Sequence, residues 1–228
     1  MLNTFRIEFL RAHQMTKSVS EALIQLDERL RERYDPLGSV EGANGAYLTG
    51  HVPHVAPSAY LCTRYAGLDD NGIRDAEKEA ERNIPEPYKE LLHHMNGARL
   101  LGVSLFGLVG RSVDRSGVGI GQPITLWYQN AVERPDYIPE GHLGIGAING
   151  AWASQGHLYL AATGEVDLYN AQFDMIGTRW SSLVEFLEDE IPRRFSIYDD
   201  EGRETQKSKH LPGDTEDWER LAQEIDDV

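Results

Sequence analysis

Two histidines, His51 and His54, stand at the spacing of metal ligands. Together with the downstream carboxylates of Asp69 and Asp70 they could form part of a zinc site. A zinc site, however, needs three or four converging ligands that neighbouring groups orient. The two histidines stand in a proline-rich stretch, and the sequence specifies no third ligand. We therefore predict no metal site.

A nucleophile and a phosphate-binding loop are the other chemical possibilities. Cys62 has only Arg64 as a basic neighbour and no recognisable nucleophile motif, so a buried small side chain is the simpler interpretation. The glycines of Gly144-x-Gly146-x-x-x-Gly150 lack the lysine of a P-loop and the spacing of a dinucleotide fingerprint. We predict no catalytic residue and no cofactor, and hence no enzyme. The alternative is an unrecognised small-molecule-binding or hydrolytic enzyme.

Charge narrows the class of partner. The 228 residues carry a formal net charge of −15, and residues 184–228 alone hold fifteen acids and six bases. An acidic surface repels nucleic-acid phosphates and anionic membranes, so we expect neither as a partner. The charge either attracts a basic protein or only keeps the chain soluble. A single cysteine forms no intrachain disulfide, and no apolar run reaches the ~20 residues of a membrane span. These features are typical of a cytoplasmic protein.

The clearest structural element is a short helix between residues 84 and 97. A proline-led start is typical of a first helical turn. Tyr88, Leu91, Leu92 and Met95 then follow at i, i+3, i+4 and i+7, which predicts one buried apolar stripe. Asn96-Gly97 tolerates positive φ and predicts a left-handed cap at the end of this helix.

Weaker patterns predict the other elements. Ser18-x-x-Glu21 is a capping box before a helix that ends near Tyr34. Glycine and proline punctuate residues 36–57, which predicts a loop with at most a short hairpin. Residues 75–82 indicate one or two helical turns, and residues 124–133 fit either a strand or a short helix. A serine cap predicts a last helix over residues 183–190 that stops at Pro192.

The proline-led helix resembles the signature of the SUKH superfamily, the Smi/Knr-like cell-wall-synthesis regulators and toxin-immunity proteins. The signature positions are Ile84, Pro85, Tyr88, Leu91, Leu92, Asn96 and Gly97. Four later segments are similar to the family's first core strand, its next strand, the following hairpin and its terminal helix: Arg99–Gly110, His142–Gly146, His157–Tyr169 and Trp180–Leu187. The family's acidic glycine-rich turn is missing, because residues 147–156 contain no acid.

The resemblance implies an α+β fold, with an antiparallel or mixed sheet of five to six strands and helices packed on one face. It divides the chain into a helix and loop-rich extension (1–69), a SUKH-like core (70–192) and an acidic, partly mobile tail (193–228). It also implies a non-enzymatic protein-binding module. Such a module would be an immunity protein that neutralises a toxin, or a regulatory scaffold.

Two kinds of residue are candidates for the partner-binding surface. Large aromatic residues beside loops are enriched at protein interfaces, although ordinary core or half-buried positions explain them equally simply. Acids on the last helix would attract a basic toxin. The candidates are Trp127, Tyr128, Trp152, Glu185, Glu188 and Asp189.

Overall fold

The strands pair in the order in which the chain makes them. The computed structural model describes residues 17–109, 122–149, 155–170, 175–206 and 211–212. Within these ranges nine strands form one open sheet, each antiparallel to the next. The strands are β1 (Ser39–Glu41), β2 (Tyr47–His51), β3 (Tyr60–Ala66), β4 (Met95–Leu100), β5 (Val103–Leu105), β6 (Leu143–Asn149), β7 (Gln155–Leu160), β8 (Val166–Asn170) and β9 (Met175–Trp180).

The α-helices pack on one face of this sheet. The described residues contain α1 (Val19–Tyr34), α2 (Asp70–Ala80), α3 (Glu86–His94) and α4 (Leu183–Phe195). Buried side chains from all four join the inward side chains of β3 to β9 in one hydrophobic cluster. The two smaller clusters contain no α-helical residue. The predicted α+β class is therefore confirmed.

The prediction of five to six strands is wrong, because the sheet has nine. β1 and β2 form the short hairpin that residues 36–57 were expected to contain at most, and β3, which was not predicted, follows them directly. These strands lack a clean alternation of buried and exposed residues, since Gly50 has φ +75° and β2 is buried at three consecutive positions. The expected single strand at Arg99–Gly110 is instead part of a hairpin, which turns at Leu101 and Gly102 (φ 52° and 85°).

The domain boundaries stay a prediction. β3 is hydrogen-bonded to β4, so the sheet runs without a break from residues 39–66 into the following segment. Beyond residue 193, Phe195, Ile197 and Leu211 are buried. Residues before position 70 and after position 192 therefore pack together with the predicted 70–192 domain.

Helix ends were predicted with mixed success. Ser18 and Glu21 form both bonds of the expected capping box, and Ser182 caps α4. The predicted stop at Pro192 is wrong, since α4 continues to Phe195. A proline inside a helix costs one backbone hydrogen bond. The buried Glu190–Arg194 pair (2.9 Å) and the burial of Phe195 hold the last turn in place.

The apolar stripe of α3 is buried as predicted. Tyr88, Leu91 and Leu92 are fully buried and Met95 is 3% exposed. The predicted Asn96-Gly97 cap is wrong, because α3 ends at His94 and Met95 already pairs with β3 as the first residue of β4. The positive φ expected at Gly97 (+75°) is present, but it lies inside a strand.

Two of the signature residues, Tyr88 and Asn96, bind the backbone just after β5 and within β6. The Tyr88 hydroxyl lies 2.7 Å from the Phe106 carbonyl oxygen and 2.8 Å from that of Ile145, with one proton to share between them. The Asn96 side chain accepts from the Leu108 N–H (2.7 Å) and donates to the Leu108 carbonyl (2.9 Å). Ile84 is buried in the same hydrophobic core as Tyr88, and Pro85 (φ −59°) is the residue before the first turn of α3.

Candidate protein-interaction site

A short π-helical turn, Tyr128–Val132, lies against β6. The chain reaches it by running parallel to Gly107, whose N–H donates to the Ile124 carbonyl (2.9 Å) and whose carbonyl accepts from the Leu126 N–H (3.1 Å). Leu126 is fully buried in the main core. Of the two interpretations left open for residues 124–133, the helical one is confirmed.

Asn130 clamps the π-helical turn to β6. Its amide nitrogen donates to the carbonyls of Leu126 and Gly144, and its oxygen accepts from the Gly144 N–H, all at 2.8 Å. Gln129 packs on Gly144, where a Cβ would lie 3.0 Å from Gln129 Cγ. Buried, charge-neutral hydrogen bonds of this kind fix a local geometry, so the outer face of the turn is presented rigidly.

The outer face of the turn is apolar. Among the described residues seven large hydrophobic side chains are exposed, and five of them fall between residues 124 and 137. Trp127 and Tyr128 are 42% and 45% exposed, and their rings meet edge-on at 6.3 Å. We define the aromatic patch as Ile124, Trp127, Tyr128 and Val132.

An acidic cleft adjoins the aromatic patch. It is a cleft of about 700 Å³ between α2 and the π-helical turn, with Trp127 on one wall. The other lining residues are Asp75, Lys78, Glu79, Glu81, Leu108 and Val109. Three carboxylates and one ammonium make the cleft net negative.

Hydrogen bonds fix both walls of the cleft. The Thr125 hydroxyl donates to Glu79 and accepts from the Trp127 N–H (3.1 Å). On the other side, Asn96 holds the backbone of Leu108. The signature residue Asn96 thus supports the cleft and does not end the helix.

The predicted aromatic residues are exposed where the structure describes them. Trp127 and Tyr128 form the centre of the aromatic patch, and Glu133 raises the pKa of the Tyr128 phenol through a hydrogen bond. Trp152 lies outside the described residues.

The predicted acids of α4 do not line the cleft, and each has a partner within the chain. The Ser181 hydroxyl and N–H donate to Glu185 and hold the pKa of its carboxyl below the usual value. Glu188 pairs with Lys17, and Asp189 accepts from the Trp180 indole at 2.8 Å.

The three acids of the cleft were not among the predicted site residues, because their proximity to Trp127 depends on how α2 packs. On α2 itself the burial of Ile73, Ala76 and Ala80 sets an inner face. That apolar spacing was the available signal that Asp75 and Glu79 point outward.

A second polar group on the opposite face was also missed. The carboxylate of Asp167, fully buried on β8, accepts from Arg179 at 2.5 and 2.9 Å and lies 3.3 Å from His142 Nε2. His142 Nδ1 is itself buried and without a hydrogen-bond partner. The group joins β8, β9 and the start of β6, and a structural ion pair accounts for it.

The other residues considered for chemistry have local partners. His51 Nε2 lies 3.0 Å from the Pro57 carbonyl oxygen, and the ring packs on Tyr60. Nowhere in the described ranges do three or more His, Cys, Asp or Glu side chains gather as metal ligands would. Cys62 is buried on the helical face, where desolvation raises the pKa of its thiol to about 12.

The chain matches no family model, and none of the curated proteins matches it at a significant level. In the part of the chain that is described, every helix is too short or too polar to cross a membrane.

Proposed function

We propose that this chain is a non-enzymatic protein-binding module whose partner docks on the aromatic patch. The observation that carries the proposal is the concentration of exposed apolar side chains on a turn that Asn130 fixes to the sheet. Aromatic residues held rigidly bury much area at little cost in conformational entropy, and they dominate binding energy at protein interfaces.

The partner in this proposal is a basic protein. The net charge of −15 and the negative cleft beside Trp127 complement a positively charged surface. The resemblance to the SUKH superfamily supports a narrower form, in which the chain is an immunity protein that neutralises a basic toxin. A regulatory scaffold of the Smi/Knr-like type is the second form of the same proposal.

Affinity capture followed by reconstitution tests the proposal. The wild-type chain and the double variant Trp127→Ser/Tyr128→Ser are used to capture proteins from lysate of the cells that encode the chain. A protein retained only by the wild type is identified, purified and titrated with both forms. We expect the double variant to bind at least about 30-fold more weakly, corresponding to the ~2 kcal/mol of one interface hot spot.

Val55→Ser is the matched control, because Val55 is an exposed apolar residue (69%) outside the aromatic patch. It should leave the affinity unchanged. Circular dichroism of each variant checks that the fold is retained. A purified partner that binds the double variant as tightly as the wild type would overturn the proposal.

A further inference from the structure

Three acids of the Trp127 cleft, Asp75, Glu79 and Glu81, lie close together without a cationic partner in the part of the chain that is described. Elsewhere on α2, Glu77 is paired with Lys89 at 3.1 Å. Asp75, Glu79 and Glu81, by contrast, form no ion pair with any of the described residues. The cleft therefore combines unneutralised carboxylates with an exposed indole.

Helix geometry brings these carboxylates to one wall. Asp75 and Glu79 are four residues apart on α2 and so lie on the same face. Glu81 follows in the left-handed conformation (φ 54°) that ends the helix. Facing them is Trp127, whose backbone Thr125 ties to Glu79. One wall is anionic and the other is an aromatic ring.

This pair of walls suits a cation with a flat, weakly hydrated head. An indole attracts a cation through its quadrupole, and carboxylates attract it through charge-assisted hydrogen bonds. A guanidinium group satisfies both, because it is planar and carries five donors. Lys78, the one cation of the cleft, is exposed and forms no ion pair with a described residue, so its flexible stem can move aside.

We propose that the Trp127 cleft binds a basic side chain of the partner, arginine by preference, between the indole and the carboxylates of Asp75 and Glu81. This inference rests on the proposed function and assigns one specificity contact to it. The aromatic patch supplies the buried area, while the cleft selects a partner with a protruding cation.

Titration with a small probe tests the cleft without a partner protein. N-acetyl-arginine amide is added to the ¹⁵N-labelled chain, and the indole N–H signal of Trp127, assigned by its loss in Trp127→Phe, is followed. We expect a saturable shift with a Kd of about 1 mM, the weak range for a single contact. N-acetyl-citrulline amide, which has the same shape without the charge, should give no saturable shift.

Paired variants separate the cleft from general acidity. Asp75→Asn/Glu81→Gln should weaken the response to N-acetyl-arginine amide about tenfold, within the range of a cation–π and ion-pair contact. Glu28→Gln/Glu32→Gln removes two exposed acids of α1 and so changes the net charge equally. This control should bind the probe like the wild type.

Three results would overturn the inference: equal shifts with the citrulline probe, an unchanged response in Asp75→Asn/Glu81→Gln, or a probe response confined to other tryptophans. If the cleft does not bind the probe as expected but Trp127→Ser/Tyr128→Ser still abolishes partner binding, the cation site is wrong and the proposed function stands. If the probe binds but the partner binds Trp127→Ser/Tyr128→Ser as tightly as the wild type, the proposed function is wrong and the cation site stands.

Discussion

The hydroxyl of Thr125 donates a hydrogen bond to Glu79, and this contact ties the strand-like approach to the π-helical turn onto α2. The same hydroxyl accepts from the Trp127 N–H at 3.1 Å. One small side chain thus sets the distance between the acidic and the aromatic wall of the cleft.

Thr125→Val should loosen the cleft. The variant keeps the shape of the side chain but removes both hydrogen bonds, so we expect the free energy of unfolding to fall by about 1–3 kcal/mol. Urea denaturation measures the change. Thr125→Ser retains the hydroxyl and should recover most of the stability; equal stability of the valine and serine variants would contradict the role of this contact.

Tyr88→Phe should destabilise the chain although it conserves the ring. The Tyr88 hydroxyl lies against the carbonyls of Phe106 and Ile145, and both sites are buried. Removing it leaves the Phe106 carbonyl short of a donor, which costs about 1–3 kcal/mol. In thermal unfolding, Tyr128→Phe, which removes an exposed hydroxyl, should stay close to the wild type. Similar midpoints for the two variants would refute the prediction.

Gly97→Ala tests the close approach behind the cleft. A Cβ at this position would lie 2.7 Å from the Leu105 carbonyl oxygen and 3.0 Å from Pro123 Cβ, in a backbone with φ +75°. We expect a loss of more than about 2 kcal/mol, since strain and a steric clash act together.

Gly164→Ala is the matched control for backbone strain. Gly164 also has positive φ (+105°), but nothing lies within 4 Å of its added Cβ. Its cost should be limited to about 1–2 kcal/mol of backbone strain. Chemical denaturation measures the free energy of unfolding of both variants. An equal decrease in the two would show that the contact with the Leu105 carbonyl is unimportant.

Alkaline pH should weaken the fold through Cys62. Burial raises the pKa of this thiol from 9.0 to about 12. Between these values the unfolded chain has lost the proton that the folded chain still holds, so the free energy of unfolding falls as pH rises from about 9 to 12. Cys62→Ala should flatten this decline in urea titrations at several pH values. Parallel pH profiles for wild type and variant would show that the thiol contributes nothing.

Salt should slow association with a basic partner. Screening shortens the range of attraction from about 30 Å at 0.01 M salt to about 8 Å at 0.15 M, so kon should fall more than koff changes. Neutralising the strongly exposed Asp200 and Glu201 lowers the charge without disturbing the core. Removing the chain after Arg194 would also remove the buried Ile197 and Leu211. If kon measured by stopped flow changes neither with salt nor with neutralisation of these two acids, electrostatic steering is rejected.

The sequence predicted the elements whose signals are local. The capping box of α1 and the stripe of α3 depend on neighbours within a few residues. The β7–β8 hairpin was expected only from the family resemblance, and the structure contains it. Where long-range pairing decides the outcome, local patterns were misleading. Met95 continues the helical stripe in sequence, yet it is extended because it pairs with Ala66 of β3.

The candidate site could be predicted only in part for the same reason. Trp127 and Tyr128 were suggested by residue type beside a loop. The carboxylates of Asp75 and Glu81 lie about fifty residues earlier in the chain, and they meet Trp127 only through the packing of α2. No spacing rule connects residues so far apart.

The order of strands in the sheet has a consequence for how the chain is synthesised. Because every strand pairs with the one made just before it, a ribosome could deliver the sheet strand by strand, with each hairpin templating the next. Helix α1 is different. Its Arg29 lies over the ring of Phe195 (5.1 Å), and Lys17, just before the helix, pairs with Glu188, so these contacts of the first described helix form only after the last one has been made. The packing of α1 should therefore be completed only after synthesis of α4.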